Sequence, residues 1–114
     1  MVVYGIPNCS TVKKACQWLD AHGITYTFHD YKKKGISSEK LADWMTIHSW
    51  EKLINRAGTT YRKLPDEVKA AIQSKEAAQA AMIQQPSMIK RPIIEWQGQV
   101  IVGFDETVYT TFVN

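Results

Sequence analysis

The sequence predicts an α/β fold in a single domain, residues 1–114: a mixed four-stranded sheet, βαβ then ββα, with a helical insertion at about residues 36–86. Three observations carry this. The first 30 or so residues read strand, helix, strand. The middle third is rich in helix-capping signals and has no linker composition. Two short apolar runs then flank Gly98 and lead to a capped terminal helix.

Val2 to Gly5 is short, β-branched and aromatic, and the turn signal of Pro7 and Asn8 follows it, which predicts a buried strand. From Ser10 to His22 the apolar residues Val12, Ala15, Cys16 and Leu19 fall at i, i+3, i+4 and i+7, one stripe of a helix that Gly23 closes. Tyr26 to Tyr31 alternates in the manner of a second strand, and Lys32, Lys33, Lys34 and Gly35 read as the loop after it. A strand, helix and strand this close in sequence imply a parallel, right-handed βαβ unit.

In the middle third, Ser37 or Ser38 can cap a helix carrying Leu41, Trp44 and Met45. Ser49 can cap a second with Trp50, Leu53 and Ile54, which Gly58 interrupts. Pro65 suits the first turn of a third, and Asp66 and Glu67 complement its dipole. Ser74 precedes an alanine-rich fourth that ends near Gln85, before a loop from Pro86 to Lys90. Pro92 to Trp96 and Val100 to Phe104 then form a hairpin about Gly98, and Asp105 caps a last helix to Phe112. This order is that of a thioredoxin-like sheet, in which ligands bind beside the first strand-to-helix turn.

Composition narrows the function. A net charge of +3 and a pI near 8.9 fall short of the concentrated basic face of a nucleic-acid binder, and a small anionic ligand suits them better. No run approaches the roughly 18 apolar residues that span a membrane. The start of the chain, Met-Val-Val-Tyr-Gly-Ile-Pro, lacks the pattern of a secretory signal, so a cytoplasmic location with reduced thiols is expected. His22, His29 and His48 are scattered without ligand spacing and no metal site is expected. Trp18, Trp44, Trp50 and Trp96 read as core or partly buried residues rather than a stacking platform.

The stretch "YGIPNCSTVKKA" places Cys9 where a helix should begin, although Ser, Thr, Asp or Asn would cap that corner better than a thiol. A sulfur there meets free backbone amides and the positive end of the helix dipole, which favour the thiolate. Lowering the pKa from about 8.5 into the range of roughly 3.5 to 7.5 turns a small reactive fraction at neutral pH into a majority. The bland alternative is a small buried residue ending a turn. Cys16, on the stripe with Val12 and Leu19, reads as core. Seven helical residues rise roughly 10 Å, too far for a Cys9–Cys16 disulfide, whose Cα atoms lie about 4.4 to 6.8 Å apart. Cys9 would therefore need an external thiol to complete a redox cycle. Ser10 and Thr11 offer amides and hydroxyls to an anion, and capping explains both equally well. Lys13, in the first turn, reads as an exposed helix lysine or as a further anion contact.

These stretches, with "NRAG" at 55–58 and "IKRPII" at 89–94, resemble the arsenate reductase and Spx-like family over essentially the whole chain. "FHDYKKKG", "GTTYRKL" and "SMIKRPI" are similar to an arsenate-reductase-like branch whose members are proposed to be glutathione-dependent thiol reductases. The resemblance implies that Cys9 is a nucleophile, with glutathione as co-substrate, and that Arg56 and Arg91 hold an anionic or thiol substrate. Guanidinium groups beside a thiolate would both lower its pKa and fork onto the anion. It also implies a cis peptide before Pro92, facing the cysteine. The third arginine of the arsenate reductases falls on or near Gly103, which argues against arsenate. Val12 stands where Spx regulators complete a CxxC switch. A Spx-type regulatory module that docks on a protein partner without catalysis is the alternative.

Overall fold

The computed structural model describes residues 1–113, which fall into two compact units: Met1–Asp30 with the chain from Arg91 onward, and Tyr31–Lys90.

The first unit is the sheet. β1 (Val2–Gly5) runs parallel to β2 (Thr27–Asp30), and α1 (Ser10–Ala21) connects them. β3 (Ile93–Trp96) pairs antiparallel with β1, and β4 (Gln99–Val102) antiparallel with β3, for the order β2-β1-β3-β4. This is the mixed four-stranded thioredoxin-like sheet. The two-residue turn Gln97–Gly98, with both φ angles positive, closes the hairpin with the twist that paired strands require. β4 ends at Val102, two residues short of the expected Phe104, since Gly103 turns the chain at φ +87°.

Register explains the core. Val3 faces Phe28 on one side and Ile94 on the other, and Ile94 faces Ile101, so these four residues share one face of the sheet. Val3, Ile94, Ala15, Leu19 and Tyr109 are buried together there, with Tyr109 supplied by the short α8 (Glu106–Tyr109), which Asp105 caps. Cys16 packs against this core, as expected, but less deeply. Ala15, Val12 and Leu19 take the buried centre of the helix stripe, and Cys16, at its edge, is only half-buried.

The second unit is helical and begins earlier than the sequence suggested. Tyr31 is not the end of a strand and Lys32–Lys34 are not a loop: they form one helical turn, α2 (Tyr31–Lys34), seated by the fully buried Tyr31 ring. α3 (Ser38–Ile47) is capped by Ser37, whose hydroxyl accepts from the Lys40 amide. α4 (Trp50–Leu53) is capped by Ser49 and stops well before Gly58, because Ile54 turns extended and bridges to Ile89. The backbone of Asn55 and Lys90 completes that pairing with Met88 and Leu53, a non-local demand that helix periodicity does not reveal. Gly58 instead starts an unanticipated short helix, α5 (Thr59–Arg62). α6 (Asp66–Ala71) follows Pro65, and α7 (Lys75–Gln84) follows Ser74, whose hydroxyl accepts from the Ala77 amide. The expected loop after α7 contains a 3-10 turn at Pro86–Met88. Among the described residues no helix is long and apolar enough to cross a membrane.

α1 lies very close to β1. A Cβ built on Gly5 would lie 2.8 Å from Cγ2 of Val12, nearer than carbons pack without displacement. Gly5→Ala should therefore destabilise the fold by about 1–3 kcal/mol, read as a lowered midpoint in urea at unchanged slope. Adding Val12→Ala, which removes the obstructing methyls, should make the pair less destabilising than the sum of the two single changes. Simple additivity would refute the close contact.

Candidate active site

Cys9 is the N-cap of α1, with extended backbone angles (φ −101°, ψ 127°), and its carbonyl accepts the first helical bond from the Lys13 amide at 2.9 Å. The chain reaches this corner directly from β1 through the exposed Pro7 and Asn8. The neutral thiol makes no capping hydrogen bond. A thiol is a weak acceptor, and the groups around this one act on its ionised form. Partial burial raises the pKa of Cys9, but the Val12 amide, the Arg91 guanidinium and the Thr11 amide outweigh it and hold the thiol below its ordinary value.

Arg91 reaches this sulfur from the other end of the sequence. It lies two residues before β3, and β3 lies alongside β1, so the antiparallel pairing carries Arg91 to the end of the sheet where α1 begins. The Arg91–Pro92 peptide is cis, and the Pro92 carbonyl accepts from the Gly103 amide at 2.8 Å. Cys9, Arg91, Pro92 and the first turn of α1 therefore meet in one place. In that turn Ser10, Thr11 and Lys13 are exposed. Arg56 belongs to the helical unit, where its exposed guanidinium lies over the Trp50 ring, 5.4 Å from the centroid.

Gly103 is the residue on or near which the resemblance places the third family arginine. Its φ of +87° is one that side-chain-bearing residues rarely adopt, and its carbonyl accepts from the Tyr109 hydroxyl at 2.9 Å. An arginine there would oppose the local backbone as well as alter the charge.

Two arrangements were not visible in the sequence. Burial pushes the Cys16 thiol up, while Tyr26 hydrogen-bonds with it across the turn that joins α1 to β2. Cys16 and Tyr26 line a groove of about 250 Å³ with Pro7, Val12, Lys13 and Phe28. On the opposite face of the sheet the Tyr4 hydroxyl donates to Glu95 Oε1 at 2.6 Å, and the Tyr4 ring lies 4.8 Å from that of His29. Neither pairing has a sequence signal, since the first depends on how α1 packs beside the start of β2 and the second on strand register. Among the described residues no three His, Cys, Asp or Glu side chains gather in a metal-holding group.

A sheet of this order, with its first helix opening on a cysteine and a cis proline leading into the third strand, is of the thioredoxin-like class. Within that class the chain belongs to the ArsC family, whose model matches residues 4–112. This is a thiol-oxidoreductase-like family. The chain is similar to the solved structure of the YFFB protein, with 48% identity, TM-score 0.91 and 96% of each chain covered. It is also 48% identical to an arsenate reductase (ArsC) related protein from Brucella melitensis, with TM-score 0.77, over 98% of this chain and 92% of that one. The global transcriptional regulator Spx of Streptococcus agalactiae is 25% identical over 108 residues, 93% of this chain and 77% of that protein. The chain is thus an ArsC/Spx-like family member.

The two thiols should separate in their pH dependence. Cys9 should be alkylated by iodoacetamide at a lower midpoint pH than Cys16, as peptide mass mapping would report. Arg91→Ala should move the Cys9 midpoint upward and leave that of Cys16 unchanged. At a pH well below both midpoints, each pKa unit regained lowers thiolate tenfold while each thiolate becomes about threefold more nucleophilic, so the rate there should drop roughly threefold. An unmoved Cys9 midpoint would exclude Arg91 as its counter-charge.

Proposed function

We propose that this protein is a glutathione-dependent monothiol oxidoreductase in which Cys9 is the nucleophile. The observation that supports it most is the setting of the Cys9 sulfur, half-exposed at the start of α1 with the Val12 and Thr11 amides and the Arg91 guanidinium favouring its ionised form. Such a sulfur attacks the glutathione sulfur of a mixed disulfide, R–S–S–G. A Cys9–glutathione disulfide forms, the S–S bond of the substrate breaks, and R–S⁻ leaves with the electron pair and takes a proton from water. Glutathione thiolate then attacks the glutathione sulfur of that adduct, releasing oxidised glutathione and restoring the Cys9 thiolate. The sum, R–S–S–G plus glutathione giving R–SH plus oxidised glutathione, is balanced with glutathione as the reductant.

Arg91 stabilises the sulfur and meets a carboxylate of the glutathione moiety, with Ser10, Thr11 and Lys13 as further donors in the first turn. Arg56 is assigned to the same anion by the family pattern at "NRAG". Arsenate is not the proposed substrate, because the family pattern places its third arginine on or near Gly103. No tightly bound cofactor is required, and the reducing cytoplasm is the compartment that keeps Cys9 as a thiol.

Similarity to Spx favours a second reading, a regulatory module whose partner is another protein. The two readings part on one substitution. Cys9→Ser should abolish release of oxidised glutathione from a glutathione mixed disulfide, and Arg56→Ala should raise KM several-fold with a smaller effect on kcat. Full biological effect from the Cys9→Ser protein, with no turnover by the unaltered one, would favour the module. In backbone NMR, glutathione titrated into the reduced protein should shift resonances around Cys9, Arg56 and Arg91, and shifts elsewhere would remove the assignment.

A further inference from the structure

The two sides of Cys9 differ in chemistry. Toward β3 stands the Arg91 guanidinium. Toward β2, the strand on the other side of β1 and the edge of the sheet, lies the groove of Pro7, Val12, Lys13, Cys16, Tyr26 and Phe28. We propose that this groove receives the apolar arm of the substrate, so that the favoured mixed disulfide joins glutathione to a small thiol bearing an aromatic or branched aliphatic group. This rests on the glutathione-dependent reading above.

The groove is continuous with the site through the chain itself. Pro7 lies two residues before Cys9, and Val12, which lines the groove, turns its backbone amide to the Cys9 sulfur. Its base is apolar: Val12 is buried, and the half-buried Phe28 packs with the core. Pro7 and Lys13 are exposed at its rim, and Lys13 is the one basic residue of the six. A volume of about 250 Å³ suits one ring or branched chain rather than a folded partner. Inside it, burial pushes the Cys16 thiol up, so a neutral sulfur and the Tyr26 ring face the occupant at neutral pH. Sulfur beside an aromatic ring is a favourable contact, whereas a carboxylate would lose its water there without a buried cation to replace it. An anionic arm is therefore directed to Arg91 and the exposed first turn of α1, and an uncharged one to the apolar base of the groove. Cys9 stands between them, where the disulfide must be.

The test uses thioethers, which bind without exchanging with Cys9. S-benzylglutathione and S-methylglutathione are titrated into the reduced full-length protein and followed by backbone NMR. S-benzylglutathione should move the amides of Cys9 and Arg91 together with those of Val12, Cys16 and Phe28, and should bind about tenfold more tightly than the methyl analogue. Tyr26→Ala should reduce that preference and leave S-methylglutathione affinity unchanged. Should this variant fail to fold, the wild-type comparison decides alone. Shifts at Cys9 and Arg91 without movement in the groove, or equal affinities, would overturn the inference while leaving the glutathione reading intact. Shifts in the groove alone would make it a separate site and also overturn the inference. No shift in either place would overturn both.

Discussion

The structure turns on how the Cys9 sulfur is surrounded. A thiol at a helix start has amides aimed at it and no oxygen of its own to accept their hydrogen bonds well, so the arrangement favours the ionised atom over the neutral one. Burial works against that preference, and the amides and Arg91 together overcome it. Everything that positions α1 on β1, and β3 beside β1, therefore bears on the charge of one atom. The same balance fails at Cys16, where burial dominates and the thiol is pushed up, although both sulfurs lie on one helix.

Two features of the sheet hold that geometry. Gly5 lets α1 come close enough that Val12 packs against the strand backbone, which sets where the helix begins relative to the end of β1. The antiparallel β1–β3 pairing then brings Arg91 and the cis Pro92 to the same end of the sheet. Gly103 completes this end: its amide bonds to the Pro92 carbonyl, and its own carbonyl accepts from Tyr109. A residue that departs from the expected arginine is thus part of the frame that holds the proline.

Much of this was legible residue by residue. The cap signals at Ser37, Ser49 and Ser74 locate helix starts because a hydroxyl three residues ahead of an amide is a local interaction, and each hydroxyl does accept that bond. The helix stripe of α1, the Gly98 hairpin and the place of Cys9 are local in the same sense. The errors fall where distant residues decide. Ile54 left its helix for Ile89, and Lys32–Lys34 became helical behind a ring that needed burial. Cys16 and Ala15 are neighbours on the helix, and only packing against the sheet told which of them would lie at its centre.

The sequence by itself determined the order of the elements, the thiol at the head of the first helix and, through its motifs, the family, because short-range hydrogen bonds and hydrophobic periodicity act between near neighbours. Only the tertiary structure decided that Arg91 stands beside Cys9, that Tyr26 meets Cys16 to line a groove, and that position 103 needs a backbone suited to glycine. Those relations come from strand register and close packing, which join residues far apart in the chain and leave no periodic trace in it.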